Sequence, residues 1–168
     1  MIPSRERRAY DEFVAASADR LVRTAYLLCR DRGHAEDLVQ TALLRTARRW
    51  RTARQHPEAY ARRVVVNLAK DRWRALSRRP VEGVLDVDVA APADEALLDR
   101  DLLLRATRQL PPGQQAVLVL RFFDDLTVEE TAAALGCSTG TVKSQTSRAL
   151  DRLRSVLTSQ KENADADR

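Results

Sequence analysis

The sequence predicts an all-α protein made of two small helical domains joined by an extended acidic linker. Apolar residues recur at spacings of three and four over most of the chain, which is the periodicity of amphipathic helices. That periodicity disappears between residues 77 and 94, where two prolines, a glycine and several acidic residues favour an extended segment. A length of 168 residues leaves room for one ordinary domain or two small ones.

The charge distribution separates the two halves of the chain. Residues 1–75 carry 17 Arg and Lys against 9 Asp and Glu, residues 76–100 carry 3 against 6, and residues 101–168 carry 9 of each. A strongly basic half indicates a polyanionic partner, and nucleic acid is the commonest one. An Arg-rich surface that is simply solvated would give the same totals.

Several classes of protein are disfavoured by what the sequence lacks. No stretch is long and apolar enough to span a membrane, and the N-terminus leads into charge rather than a signal core, so a cytoplasmic protein is expected. Cys29 and Cys137 share no metal-ligand spacing with His34 or His56, which favours reduced thiols and no metal site. No catalytic constellation stands out, so we expect neither an enzyme, nor a cofactor, nor a small-molecule substrate.

The N-terminal half predicts three helices. The first covers residues 6–31 and is ended by Gly33, the second covers residues 35–50, and the third begins with Pro57 at its first position. The third helix interleaves cations with Tyr60 and Trp73. That combination is typical of a single-stranded nucleic acid site, in which cations follow phosphates and rings stack on bases. The alternative is that both rings pack into a core while the arginines are solvated.

The C-terminal half predicts a helix-turn-helix, preceded by helices over residues 95–109 and 114–123. Thr127 and Glu130 have the spacing of a capping box, Gly136 provides a stop, and Ser138 can cap the next helix. That helix has an apolar stripe at spacings of four and three, and its outward face carries short polar and cationic residues suited to DNA. Exposed polar residues on an ordinary helix pair would look the same. The outward residues are Ser138, Thr139, Thr141, Lys143, Ser144, Ser147 and Arg148.

Four stretches, in order and spacing, resemble RNA polymerase sigma factors of the extracytoplasmic-function (ECF) group within the sigma-70 family, and among them the SigE-type actinobacterial proteins. They are GHAEDLVQ (33–40), ARRVVVNLAKDRWR (61–74), LPPGQQAVLVLR (110–121) and LGCSTGTVKS (135–144). The resemblance implies a sigma-2-like domain at residues 1–76, a linker at 77–93, a sigma-4-like helix-turn-helix domain at 94–158 and a disordered tail at 159–168.

The resemblance assigns two roles to the first domain. It would dock on the clamp helices of the largest subunit of core RNA polymerase, and it would open the −10 promoter element while Asn67 helps to hold a flipped base. Replacing lost stacking and edge hydrogen bonds is what such a pocket must do. The docking residues would be Glu36, Asp37, Leu38, Gln40 and Leu43. The −10 residues would be Trp50, Arg54, Tyr60, Arg63, Asn67, Lys70 and Trp73, with residues 50–56 as the specificity loop.

The second domain would read the −35 element of promoter DNA as duplex through the outward face of its last helix. Gln145 departs from the cation that many relatives carry, and it could read adenine or face solvent. The linker acids Glu82, Asp86 and Asp88 would either occupy the RNA channel of the polymerase or form a solvated tether. An anti-sigma factor is a further candidate partner.

Two other functions compete with the sigma-factor interpretation. An ordinary helix-turn-helix regulator would need a receiver or ligand-binding domain and a dimerisation helix. Residues 1–75 are too short and too Arg-rich for a receiver, and no heptad pattern for a dimerisation helix appears. A protein-binding adaptor would leave the basic third helix as a solvated face. Each alternative accounts for one half of the chain only.

Overall fold

The computed structural model describes residues 2–78 and 104–166, and helix is the only regular secondary structure within these ranges. The predicted all-α class is therefore confirmed. The linker acids and most of the helix predicted at residues 95–109 lie outside the described residues. The helices are α1 (Ser4–Cys29), α2 (Arg32–Arg48), α3 (Trp50–Ala53), α4 (Pro57–Ser77), α5 (residues 104–108), α6 (Pro112–Leu118), α7 (Val128–Leu135) and α8 (Thr139–Ala166).

The boundary between α1 and α2 differs from the prediction. Helix α1 ends at Cys29 because Arg30 adopts a left-handed conformation with φ 62°, and its N–H bonds to the Tyr26 carbonyl oxygen at 2.7 Å. Gly33 lies inside the first turn of α2 and does not terminate α1. Asp31 begins α2 by accepting a hydrogen bond from the His34 N–H at 2.9 Å. The turn between α1 and α2 is thus formed by the side-chain cap of Asp31 and by Arg30 in a strained left-handed conformation. Neither residue is the glycine that usually marks the end of a helix.

Helices α1, α2 and α4 form a bundle with a shared apolar core. Helix α4 begins at Pro57, as predicted, and the short helix α3 occupies part of the segment expected to be a loop. The largest apolar side chains that this bundle fully buries come from α1 and α4, which indicates that these two helices form its centre. They are Leu21, Leu28, Val65 and Val66.

The C-terminal domain forms the helix-turn-helix that the sequence predicts. The Thr127 hydroxyl and the Glu130 carboxylate make both hydrogen bonds of the capping box, and Gly136 ends α7 with φ 67°. The Thr141 N–H donates to the Ser138 hydroxyl at 3.1 Å, so Ser138 caps α8. Helix α8 continues through Ala166, which corrects the prediction of a disordered tail over the described part of residues 159–168.

The short apolar helix that precedes the helix-turn-helix is irregular. It starts as α6 and becomes π-helical over Val119–Phe123 before the chain turns at Asp124. A π-helical turn admits one extra residue per turn and rotates the side chains that follow it. This rotation accompanies a change of neighbours, since Leu118 packs against Ala149 and Leu153 of α8 while Val119 and Leu120 join the core shared with α1 and α4.

The two domains pack against each other in the structure. Helix α7 contacts α4, and both α6 and the π-helical turn contact α1. One continuous cluster of buried apolar residues includes Leu21 and Val66 from the first domain and Leu120 and Ala132 from the second. The sequence had predicted two modules joined by a linker and gave no indication of this contact. Among the described residues, no helix is both long and apolar enough to cross a membrane.

Candidate nucleic-acid and polymerase interfaces

One face of α4 combines cations with an exposed amide. Arg63, Asn67, Lys70 and Arg74 are spaced by four, three and four residues, so they lie on the same side of the helix. We call these four residues the melting face. Arg63, Asn67 and Arg74 are exposed, whereas Lys70 is half-buried and its Nζ donates to the carbonyl oxygen of Leu135 at the end of α7. An exposed amide flanked by guanidinium groups can contact a base edge and its phosphates together.

The aromatic residues predicted for the same site lie mostly in the core. The Trp50 side chain is only 5% exposed, and its ring meets Tyr10 edge-on with centroids 5.3 Å apart. Trp73 is half-buried, and its indole N–H donates to the Leu28 carbonyl oxygen at 3.1 Å. Tyr60 is half-buried against the same core. The structure therefore contradicts a base-stacking role for Trp50, because the ring is packed inside the bundle.

Two arginines of the N-terminal domain pair with carboxylates. Arg54 Nη1 lies 3.1 Å from Glu6 Oε1 in a pair that is partly exposed. Arg62 is 11% exposed, pairs with Glu58 at 2.8 Å, and also lies 3.4 Å from the Asp124 carboxylate of the other domain. Arg62 is therefore not one of the solvated cations of α4.

The predicted docking surface on α2 is partly exposed and partly buried. Glu36, Asp37 and Gln40 are exposed and Leu43 is half-buried, so these side chains are accessible to a partner at least in part. Leu38 is 8% exposed and packs in the core, which contradicts its predicted docking role.

Sequence reasoning missed the apolar residue that this surface does offer. Leu44 is 60% exposed and follows Asp37 and Gln40 by seven and four residues, so all three lie on one face of α2. That helical spacing was the signal from which Leu44 could have been found.

The recognition face of α8 is fully accessible. All seven residues predicted for it are exposed: Ser138, Thr139, Thr141, Lys143, Ser144, Ser147 and Arg148. Two of the hydroxyls also serve the backbone, since Ser138 caps the helix and the Ser144 hydroxyl donates to the Thr141 carbonyl oxygen at 3.1 Å. Lys143 and Arg148 are the cations of this face, and Thr139 lies at the helix N-terminus, where backbone N–H groups attract phosphate.

Gln145 lies on a different side of α8. It is half-buried, and its Nε2 is 3.9 Å from the position that a Cβ on Gly113 would occupy. The side chain therefore lies against the first turn of α6. Neither expectation for Gln145 is met, since it neither faces solvent nor lies on the face that would read adenine.

The pKa values of two side chains, Asp124 and Cys29, are raised in the folded protein. Burial raises the pKa of Asp124, and the hydrogen bond from Thr24 and the charge of Arg62 offset only part of that shift. Burial also raises the pKa of the Cys29 thiol, so the protonated form predominates at neutral pH. Cys29 and Cys137 are both free thiols. Within residues 2–78 and 104–166, no cluster of His, Cys, Asp and Glu could hold a metal ion.

Both domains match known protein families. Residues 13–79 match the family described as Sigma-70 region 2, and residues 100–153 match Sigma-70, region 4. This chain belongs to the sigma-70 family. It is 43% identical over 155 residues to the RNA polymerase sigma-E factor of Streptomyces coelicolor, with 88% of this chain and 85% of the relative covered. The sigma-E factor of Streptomyces avermitilis is 44% identical over 154 residues, with 89% and 86% covered.

A solved structure has a similar arrangement. The sigma factor RpoE, in its complex with the anti-sigma factor NepR from Bartonella quintana, superposes with a TM-score of 0.71 and 25% identity. The match covers 89% of this chain and 96% of RpoE. The resemblance to ECF sigma factors of the SigE type is thereby confirmed. This protein is therefore a sigma factor. It directs transcription initiation, and its partners are core RNA polymerase and promoter DNA.

Proposed function

We propose that this sigma factor divides promoter recognition between two helix faces. The melting face on α4 opens the −10 element, and the recognition face on α8 reads the −35 element as duplex. The observation that carries the proposal is the exposure of Asn67 between Arg63 and Arg74, together with the exposure of Lys143 and Arg148 on α8. Each face joins cations that can bind phosphates to groups that can read base edges.

The −10 step depends on Asn67. An amide can both donate and accept hydrogen bonds, which allows it to replace the pairing that a base loses when it leaves the duplex. Tyr60 precedes Asn67 by seven residues on α4, and its half-buried ring is the aromatic group closest to this face by helical spacing. Trp73 and Trp50 would instead support the helix from within the core.

The docking step involves the exposed face of α2. Asp37, Gln40 and Leu44 offer a charge, an amide and an exposed apolar side chain to the clamp helices of the polymerase, with Glu36 and Leu43 beside them. An apolar group surrounded by polar residues is the usual arrangement of a protein-binding patch. We expect the protein to act in the cytoplasm, where its partners lie, and to contribute no catalytic group of its own. An anti-sigma factor remains a candidate partner.

Transcription in vitro with purified core polymerase tests this division. Asn67→Ala should reduce open-complex formation while leaving −35 duplex binding intact, and Lys143→Ala should weaken −35 binding while sparing the opening of premelted templates. Each loss should amount to about 1–3 kcal/mol for a base-reading contact. Asn163→Ala and Lys161→Ala are matched controls, since both residues are exposed near the far end of α8. The same defect in both steps for both variants would contradict the division of roles.

A further inference from the structure

Four exposed arginines follow one another where α2 ends and α3 begins. Arg45 and Arg48 lie in the last turn of α2, Arg49 joins the two helices, and Arg51 lies in α3. The Arg49 N–H donates to the Arg45 carbonyl oxygen at 3.1 Å and the Ala53 N–H to the Arg49 carbonyl oxygen at 2.9 Å, so the chain stays helical across the junction. Spacings of three and four residues place the four arginines beside one another on the surface. We call them the arginine patch.

The positive charges of the arginine patch have no carboxylate partner within residues 2–78 and 104–166. Other exposed arginines do have one, such as Arg8, which pairs with Glu12 at 3.1 Å, and Arg54, which pairs with Glu6 at 3.1 Å. Cations in the last turn of a helix complement its dipole, but like charges at a spacing of four residues destabilise the helix by a similar amount. An unneutralised cluster that does not stabilise its own helix indicates an anionic partner.

The core beneath the arginine patch fixes its position. Thr46 and Trp50 lie between the arginines in the sequence and are buried. The Thr46 hydroxyl donates to the Ala42 carbonyl oxygen at 2.8 Å, and the centroid of the Trp50 ring lies 5.3 Å from that of Tyr10 and 6.0 Å from that of Phe13. The arginines therefore stand on a fixed backbone, which lowers the entropic cost of binding an extended ligand.

The arginine patch has the groups that bind phosphate but lacks those that read a base. Guanidinium groups donate paired hydrogen bonds to phosphate oxygens. The aromatic ring within this segment, Trp50, is buried and cannot stack on a base. A ligand with repeated phosphates, bound independently of its base sequence, fits these properties.

The docking surface of α2 lies next to the arginine patch and offers a different partner. Leu44 precedes Arg48 by four residues, so the patch begins where that surface ends. The centre of a protein interface is rich in apolar side chains and poor in charges. The four arginines have no large exposed apolar side chain among them, and they therefore fit a strand of phosphates better than a protein surface.

The arginine patch and the melting face lie at different levels of the bundle. Trp50, within the patch segment, contacts α1 at Phe13, whereas Trp73, near the end of the melting face, contacts it at Leu28. At about 1.5 Å per residue these two levels are roughly 22 Å apart. The chain leaves α4 at its Trp73 end for the domain that reads the −35 element, so the patch lies on the downstream side of the −10 element. A stacked strand rises about 3.4 Å per nucleotide, and about four to six nucleotides cover the distance from Asn67 to the patch.

We propose that the arginine patch binds the phosphates of the single strand immediately downstream of the −10 element, on the strand whose flipped base Asn67 holds. The inference rests on the proposed function for the −10 role. Promoter opening exposes this strand, and the four guanidinium groups hold it without reading its sequence. The patch thereby extends the contact of the first domain with the opened strand beyond the melting face.

Forked promoter DNA bound to the complex of core polymerase with this protein tests the proposal. Both forks carry the −35 duplex and a single-stranded −10 element; one ends there, and the other continues as a single strand for about ten nucleotides. The wild type should bind the longer fork more tightly and with a steeper dependence on salt. Arg48→Gln combined with Arg51→Gln should lower the slope of log affinity against log salt on the longer fork by about 1.4, at about 0.7 per phosphate contact, and leave the shorter fork unchanged.

Two further variants separate charge from side-chain shape and from position. Arg48→Lys combined with Arg51→Lys keeps both charges and should retain the wild-type slope, because the slope counts neutralised phosphates. Arg23→Gln combined with Arg152→Gln removes the same charge from exposed positions on α1 and α8, and it should leave the slopes on both forks as in the wild type. Circular dichroism checks that each variant retains its helix content.

Three results would overturn the proposal. The first is equal slopes for the wild type and the glutamine variant, or a lysine variant as weak as the glutamine variant. The second is an equal loss on both forks. The third is weaker binding of the glutamine variant to core polymerase without DNA, which would make the patch a protein contact. A wild type that gains nothing from the longer fork would contradict the patch and leave the −10 and −35 roles standing, whereas a wild type that binds neither fork would contradict those roles as well.

Discussion

The two DNA-facing helices differ in what else they must do. The recognition face of α8 points away from the rest of the molecule, and every residue predicted for it is exposed. The melting face of α4 lies beside the contact with the C-terminal domain, and its Lys70 donates a hydrogen bond to the Leu135 carbonyl oxygen. Trp73 of the same helix lies outside this face and donates to the Leu28 carbonyl oxygen within the bundle. A face with a single function can be predicted from helical spacing alone. A face that also forms a boundary cannot, because its neighbours are distant in sequence.

The largest effect should come from Trp50. If the ring belongs to the core, as its contacts with Tyr10 and Phe13 indicate, Trp50→Ala should cost about 3–5 kcal/mol of unfolding free energy. Thermal or urea unfolding measures the change. Arg51→Ala, at the exposed next position, should have almost no effect. A stable Trp50→Ala protein that fails only in promoter opening would restore the stacking role and make the two DNA faces more alike.

Substitution of two glycines compares the stability that the turn before α8 requires of its residue with that of a position inside α8. Gly136 has φ 67°, so Gly136→Ala should cost about 1–2 kcal/mol of stability through the left-handed conformation. Gly140→Ala lies within α8 and should stabilise the fold by up to about 1 kcal/mol, since its Cβ would meet only the Ser138 hydroxyl at an ordinary 3.8 Å. Urea unfolding of both variants measures the difference. Equal effects would contradict the assigned turn geometry.

Salt dependence distinguishes the contributions of the recognition face. Lys143→Ala should reduce the slope of log affinity against log salt for −35 duplex by about 1, because one phosphate contact is lost. Ser147→Ala is a neutral change on the same face and should leave the slope unchanged. Fluorescence anisotropy with a labelled duplex provides the measurement. An unchanged slope for Lys143→Ala would mean that this lysine does not contact a phosphate.

The smallest expected effect is the change in the free energy of unfolding that Asp124 causes as the pH falls. Burial raises the pKa of Asp124 in the folded protein, so the protonated carboxyl is favoured there. The stability linked to this proton is fully present below the unfolded pKa and is lost as pH rises through the folded value. On acidification from neutral pH, the wild type should therefore gain stability relative to Asp124→Asn. Urea unfolding across the acid range measures the difference, and a gain for the variant would reverse the sign of the shift.

Much of the C-terminal domain could be predicted from local sequence. The capping box of Thr127 and Glu130, the stop at Gly136 and the cap at Ser138 depend on residues within a few positions of one another. Such signals depend little on the rest of the fold. The α1 end was predicted wrongly because Arg30, which is not a glycine, takes the left-handed conformation.

The candidate site was predicted less completely than the fold. The resemblance assigned Arg63 and Asn67 to the −10 element, and the structure has both side chains exposed on one side of α4. The resemblance could not distinguish Leu38, which is buried, from Leu44, which is exposed and shares a helical face with Asp37 and Gln40. Nor could it show that Trp50 fills the core.

By itself, the sequence determined most of the helices, the caps of the helix-turn-helix and the exposed residues of the recognition face, because these depend on contacts within one or two turns. Only the tertiary structure decided which side of α4 stays accessible and that the domains meet. The hydrogen bond from Thr24 to Asp124 joins residues 100 positions apart. Such contacts follow from the packing of whole helices, and no local pattern records them.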